Sequence, residues 1–325
     1  MNERKDEELK QMLEKELGKY YNLGEKYEIT LLKYSENYNW LVETGSNKYV
    51  LRLCRPGYHS TEELLGELLW IQELEKSADV RMPVVIKNNQ GELLTQLSEY
   101  NCTMFSFLEG TTLRGIDGEE LLGYLQEIGT ITAKLHCQVQ QWSGANELIR
   151  FTWNFEDLLG KDARVGDWRN HPRLSEEERI VYEKSEQIIG EKLEQYGKNP
   201  DNYGLIHSDF NINNVLVDQG KVQVLDFDDC GFGWFLYDLS TSVLEYDEGI
   251  REKIAAWVKG YEKERKLSEI DKSMIPTFIV MRKIVRIGWI ASHMENDTVK
   301  KVTDSYYEHT YRMAKTYVES GGVNF

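Results

Sequence analysis

The chain has 325 residues, enough for two domains or for one large domain with two lobes, and 41% of them are apolar, enough for a sizeable core. A formal charge of -16, from 39 basic and 55 acidic side chains, argues against sequence-independent nucleic-acid binding, which needs clustered cations. The sequence offers no run of about 18 apolar residues for a membrane span, Met1–Glu8 lacks the apolar stretch of a signal peptide, and Cys54, Cys102, Cys137 and Cys230 make no close metal- or redox-type pair. The expectation is a cytoplasmic protein with free thiols, no membrane partner and an oligomeric state that the sequence does not reveal.

Residues 3–17 carry Leu9, Met12, Leu13 and Leu17 at helical spacing and predict an amphipathic helix. Residues 27–33, 38–43 and 48–53 predict strands, with Thr44-Gly45-Ser46-Asn47 as the turn before the last, so the chain opens as an antiparallel meander. After Pro56-Gly57, Ser60 or Thr61 caps a helix running to about Glu75. Strands follow near 84–87, 91–97 and 101–108, with Asn88-Asn89-Gln90-Gly91 as a turn. The segment Glu109-Gly110-Thr111-Thr112 sets the expected lobe boundary, giving lobes 1–108 and 109–325. Beyond it the periodicity is mostly helical, at 118–141, 175–197, 249–264, 274–293 and 300–318.

Between these helices, Asn214–Val217 and Lys221–Leu225 read as a hairpin closed by Asp218-Gln219-Gly220. His207, Asp209 and Asn214 stand at one outer end of it, and Asp226 and Asp228 at the other. A hairpin is expected to bring its outer ends together at one rim. Two carboxylates and an amide oxygen then make a hard-oxygen set suited to Mg²⁺, completed by water and phosphate oxygens. Asp and Asn are also common turn residues. The residues alone therefore leave open plain turns, a phosphoryl-transfer site or a metal-assisted hydrolase site.

The stretch Ile206-His207-Ser208-Asp209-Phe210-Asn211-Ile212-Asn213-Asn214 resembles the His-Gly-Asp-x-His-x-x-Asn motif of the aminoglycoside phosphotransferase-like kinases, which include choline and homoserine kinases within the protein-kinase-like superfamily. Leu225-Asp226-Phe227-Asp228-Asp229 is similar to that family's metal-binding Asp-x-Asp segment. The resemblance, over about 25–320, implies a two-lobed α+β fold with an antiparallel-sheet N-lobe and a mainly helical C-lobe. It implies ATP and Mg²⁺ as cofactors, and transfer of the γ-phosphoryl group to a hydroxyl of a small molecule. Asp209 would orient and deprotonate that hydroxyl, Asn214 and Asp226 would hold Mg²⁺, Asp228 would face metal or substrate, and His207 would brace the loop. Ser208 replaces the usual Gly, and Asn211 the usual second His.

The N-lobe is expected to hold the nucleotide. Residues 34–40 resemble the phosphate-side loop, with Asn37 able to meet phosphate, though the segment has no Gly-rich signature. Arg52 stands where the family strand usually presents a phosphate-binding Lys, Lys48 is the runner-up, and Glu67 is the expected helix partner of the cation. Met104 to Leu108, including Phe107, resembles the hinge beside adenine, and Asp238 a support of the catalytic region. Arg282, Lys283 and Arg286 read as surface solvation or internal pairing. Asp229, Glu245, Asp247 and Glu248 suit a cationic acceptor such as an amino sugar, amino alcohol or hydroxy amino acid. The alternatives are a protein Ser/Thr kinase of the bacterial stress-response type and a catalytically degenerate nucleotide-binding or spore-coat-type scaffold.

Overall fold

The structure, a computed structural model, describes residues 3–34, 37–296 and 298–325. The chain divides into two compact units: the first comprises Met1–Gly110, Asn146–Arg150 and Gln223–Asp228, and the second Thr111–Ala145, Phe151–Val222 and Asp229–Phe325.

The first unit begins with α1 (Glu3–Tyr20), followed by β1 (Tyr27–Tyr34), β2 (Tyr38–Thr44), β3 (Lys48–Leu53), α2 (Thr61–Ser77), β4 (Val85–Ile86), β5 (Thr95–Leu97) and β6 (Tyr100–Ser106). The strands form an antiparallel sheet in the order β1-β2-β3-β6-β4, with β5 added on β6. Leu9, Leu13 and Leu17 recur every four residues on one face of α1 and join the core cluster of Ile29, Trp40, Val42, Leu51 and Met104. Ser60 and Glu63 close a capping box at the start of α2. The strand predicted over 91–97 is reduced to 95–97. The Asn88 side chain takes the N–H groups of Gln90 (2.9 Å) and Glu92 (3.0 Å), which turns those residues out of the ladder.

The rest of the chain forms β7 (Thr111–Thr112), α3 (Gly118–Gln141), α4 (Phe155–Leu159), α5 (Glu176–Tyr196), β8 (Tyr203–Ile206), β9 (Val215–Asp218), β10 (Lys221–Val224, its last two residues counted with the first unit), β11 (Gly231–Trp234), α6 (Leu236–Ser242), α7 (Ile250–Tyr261), α8 (Glu269–Ser292) and α9 (Asp304–Glu319). The predicted 215–224 hairpin is present as β9 and β10, with β7 pairing antiparallel to β9. The elements not predicted are β7, α4, the antiparallel pair of β8 with β11, and α6 behind it. Helices α3 and α7 approach to backbone contact. A Cβ on Gly129 would strike the Trp257 carbonyl, and one on Gly260 the Gln126 carbonyl. Helix α8 starts five residues before the predicted 274, because Ser268 and Asp271 form a capping box.

The chain is thus an N-terminal antiparallel-sheet lobe followed by a mainly helical region, the two-lobed protein-kinase-like architecture. Among the described residues no helix is long and apolar enough to cross a membrane.

Candidate active site

In the second unit, the loop 207–214 leaves β8 and is gripped by one carboxylate. Asp238, fully buried on α6, accepts from the backbone N–H of His207 (3.1 Å) and of Ser208 (2.6 Å), and from His136 Nε2 (3.1 Å). On the far side of the imidazole, Tyr261 Oη donates to His136 Nδ1 (2.9 Å) and accepts from Arg265 (3.0 Å). These partners suit a neutral imidazole protonated at Nε2. Burial lowers the His136 pKa below its ordinary 6.5, and the bond to Asp238 offsets only part of that.

Ser208 turns the loop with φ at +65°, in the left-handed region. The Gly usual in the motif adopts that region without strain. The serine instead gains a bond, its Oγ donating to the Asp229 carbonyl at 2.5 Å. Asn211, in place of the second His, accepts from Asn213 N–H at 2.9 Å and closes an Asx turn. These bonds aim Asp209. Its carboxylate accepts from Asn214 Nδ2 at 2.6 Å and lies 3.6 Å from Arg282 Nη2. Asn214 Nδ2 also reaches the Asp209 carbonyl at 3.1 Å, which leaves Asn214 Oδ1 without a donor among the described residues.

In the first unit, Arg52 and Glu67 form a buried two-point pair with Nη1–Oε1 at 2.8 Å and Nη2–Oε2 at 2.6 Å. Arg52 Nη1 also lies 3.4 Å from Asp228 and 3.9 Å from Asp226. Burial lowers the Arg52 pKa, but Glu67 and then Asp228 raise it further, so the guanidinium stays charged. Asp228 is buried and accepts from Asn37 Nδ2 at 2.9 Å, while Asn37 Oδ1 accepts the Arg55 N–H at 2.9 Å. Burial pushes the Asp228 carboxyl up, yet Arg52, with His59 and Arg150 behind it, holds it well below the usual carboxylate range. Asp226 differs. It sits at φ +59° with its side chain 43% exposed, its Oδ1 accepting from the Asp228 N–H at 3.4 Å.

Lys48 is not part of this cluster. Its ammonium lies 3.5 Å from Glu109 and 3.8 Å from Glu43, over the Phe107 ring. Of the loop predicted to face phosphate, Ser35 and Glu36 lie outside the described residues. In the hinge-like segment, Met104 is fully buried in the sheet. The N–H groups of Ser106 and Phe107 bond to the carbonyls of Val84 (2.9 Å) and Lys48 (3.3 Å). The Leu108 N–H makes no hydrogen bond among the described residues.

Two of the acids predicted to meet a cationic acceptor are already engaged. Glu245 pairs with Arg286, and Asp247 with Lys283 at 2.7 Å, with His309 at 3.6 Å. Lys283 is almost fully buried, and its ammonium also donates to the Leu244 carbonyl at 2.8 Å. An ammonium buried without a counter-ion is costly, so these acids neutralise the cations of α8. Sequence reasoning missed His59, Arg150 and the approach of Arg282 to Asp209.

Among the described residues no group of three or more His, Cys, Asp or Glu is arranged to hold a metal. The donors present still fit a hard cation of the Mg²⁺ type, which binds through one or two carboxylates and fills its shell with phosphate and water oxygens. In the first unit, Asp226 offers a part-exposed carboxylate of that kind.

The antiparallel-sheet lobe, with an Arg–Glu pair joining strand to helix, and the mainly helical region after it are the architecture of a protein-kinase-like phosphotransferase. Residues 30–270 match the family model described as the phosphotransferase enzyme family, and the chain belongs to that family. A solved structure of a microcompartment-associated aminopropanol kinase is 32% identical with a TM-score of 0.85, covering 97% of this chain and 98% of that one. Amicoumacin kinase hAmiN, solved in complex with AMP-PNP, Ca²⁺ and Ami, is 21% identical with a TM-score of 0.76 and covers 100% and 98%; at that identity it supports the fold. Amicoumacin kinase of Bacillus subtilis (strain 168) is 25% identical over 297 residues, 84% of this chain and 83% of that protein. Homoserine kinase of Methylobacillus glycogenes is 26% identical over 313 residues, 91% of each. The chain is an ATP-dependent kinase that phosphorylates a hydroxyl-bearing small molecule.

Proposed function

We propose that the chain transfers the γ-phosphoryl group of ATP, in the presence of Mg²⁺, to the hydroxyl of a small amino alcohol. Residues 1–108 bind the nucleotide, and 109–325 supply the catalytic loop and the acceptor site. The observation that carries the reading is the Asp209 carboxylate, aimed by Asn214 at 2.6 Å on a loop whose backbone is fixed by Asp238. Asp209 orients the acceptor hydroxyl and takes its proton as the new O–P bond forms. Asn214 and Asp226 would hold Mg²⁺, and the metal would supply charge neutralisation at the phosphates. Asp228 stays ionised beside Arg52 and steadies that segment. Arg52, kept charged and oriented by Glu67, faces phosphate, with Asn37 beside it. Met104, Phe107 and the Leu108 N–H serve the adenine. The amino alcohol class is supported by the 32% identity to an aminopropanol kinase over 97% of this chain. Cys54, Cys102, Cys137 and Cys230 stand outside any disulfide, which supports a reducing, cytoplasmic location.

A hydroxy amino acid is the second reading, favoured by Arg282. Its guanidinium, 3.6 Å from Asp209, is placed to meet an acceptor carboxylate. A panel of 1-amino-2-propanol, ethanolamine, homoserine, choline and an amino sugar, with γ-labelled ATP and Mg²⁺, separates the two readings. Transfer to the carboxylate-free amino alcohols supports the first. Transfer confined to homoserine, and lost in Arg282→Met, supports the second and overturns the first.

A further inference from the structure

The segment 146–150 follows α3 in the chain yet belongs to the sheet unit. Its last residue, Arg150, is buried and makes a fork between two backbone carbonyls. Nη1 donates to the Glu63 carbonyl in the first turn of α2 at 2.7 Å, and Nη2 to the Asp228 carbonyl at 2.5 Å. A planar guanidinium fixes the angle between two such acceptors, which a single flexible donor does not. The approach depends on Gly66. A Cβ there would lie 2.6 Å from the Ile149 carbonyl and 3.1 Å from Arg150 Cδ. A second link runs parallel to the fork. His59, with its side chain 2% exposed, places Nδ1 3.6 Å from Glu63 Oε2 and Nε2 3.5 Å from Asp228 Oδ2.

Both links join the same two places, the start of α2 and the segment 226–228. One turn further along α2 is Glu67, which holds Arg52, and two residues before Asp228 is Asp226. We propose that Arg150 is a positioning residue, assisted by His59. It locks α2 and the segment 226–228 into one body, so that Asp226 and Arg52 hold a fixed separation when a metal-bound nucleotide arrives. Arg150 touches neither phosphate nor acceptor in this account. The inference rests on the proposed role of Asp226 in metal binding.

The test uses the full chain and no acceptor. Calorimetric titration of AMP-PNP, with and without Mg²⁺, is compared for wild type, Arg150→Met, Arg150→Lys, His59→Gln and Asp226→Ala, alongside the thermal midpoint of each. Supporting groups behind a metal ligand typically contribute about tenfold or more to metal-linked affinity. Arg150→Met is expected to weaken Mg²⁺-dependent nucleotide binding about tenfold, and Arg150→Lys to restore part of it through one of the two carbonyls. His59→Gln is expected to weaken it less, and it decides the matter if Arg150→Met fails to fold. Mg²⁺-dependent affinity within twofold of wild type in the folded variants, whatever their thermal midpoints, would overturn the proposal. If Asp226→Ala also leaves the Mg²⁺ dependence intact, the metal role of Asp226 fails; if Asp226→Ala loses it and Arg150→Met does not, the brace alone fails.

Discussion

The loop 207–214 and the segment 226–228 each present a carboxylate, and they are held by opposite charges. Behind Asp209 the anchor is an anion, Asp238, which collects two backbone N–H groups and an imidazole. Around Asp226 the anchors are cations: Arg52 on the neighbouring Asp228 side chain and Arg150 on its carbonyl. In both places a buried ionic group fixes the backbone while the presenting carboxylate stays reachable, with Asp209 and Asp226 side chains 23% and 43% exposed. On the proposed reading, rigidity comes from the anchor and chemistry from the presented group. The two can therefore be separated by mutation.

Breaking the anchors should give the largest effects on stability. Asp238→Ala strands two buried N–H groups and His136, and Arg52→Met strands Glu67. Removing one partner of a buried charged set typically costs about 3–5 kcal/mol, read as a lower urea midpoint. The comparison sharpens with a double variant. Arg52→Met with Glu67→Leu should recover part of that stability, since Glu67 is no longer stranded while the buried Asp228 still lacks its guanidinium neighbour. Nucleotide binding should stay lost. Recovery of binding along with stability would show that Arg52 is only a structural cation.

A smaller effect concerns pH. The folded-state pKa of His136 is depressed, so the unfolded chain takes up its proton first as pH falls through the ordinary 6.5. The contribution is intact above that value and is lost progressively below it, by at most about 1.4 kcal/mol per pH unit. Burial depresses His171 and His309 as well, so His136→Gln should flatten the acid side of the stability curve without abolishing its slope. An unchanged slope would contradict a neutral His136. The smallest effect is expected at Ser208. Ser208→Gly relieves the left-handed strain but loses the bond to Asp229, two contributions of about 1 kcal/mol each that nearly cancel. Ser208→Val loses the bond and keeps the strain, and should melt several degrees lower.

Local signals made much of this legible in the sequence. The leucines of α1, the capping box of α2 and the turn after β9 depend on neighbours in the chain, and so did the placing of Asp209, Asn214 and Asp226 in two motifs. Arg52 and Glu67 were paired through family resemblance, and the two-point geometry was seen only in the structure. Arg150 carried no signal, because its partners are carbonyls whose side chains do not matter. The strands 203–206 and 231–234 were missed because their glycines break the β pattern and their pairing spans a long loop. The acids at 245 and 247 looked available to a ligand because nothing local reveals that α8 returns Arg286 and Lys283 to them.

The central claim is that Asp209 acts on the acceptor hydroxyl while Asp238 behind it only fixes the loop. The most direct measurement is the turnover of ATP-dependent phosphorylation by Asp209→Asn, alongside its AMP-PNP affinity and thermal midpoint. A positioned general base contributes roughly 10²–10⁴-fold to rate. Turnover should fall within that range while affinity and midpoint stay near wild type, since Asn keeps the shape of the side chain. Turnover within tenfold of wild type in a folded, nucleotide-binding Asp209→Asn protein would contradict the account.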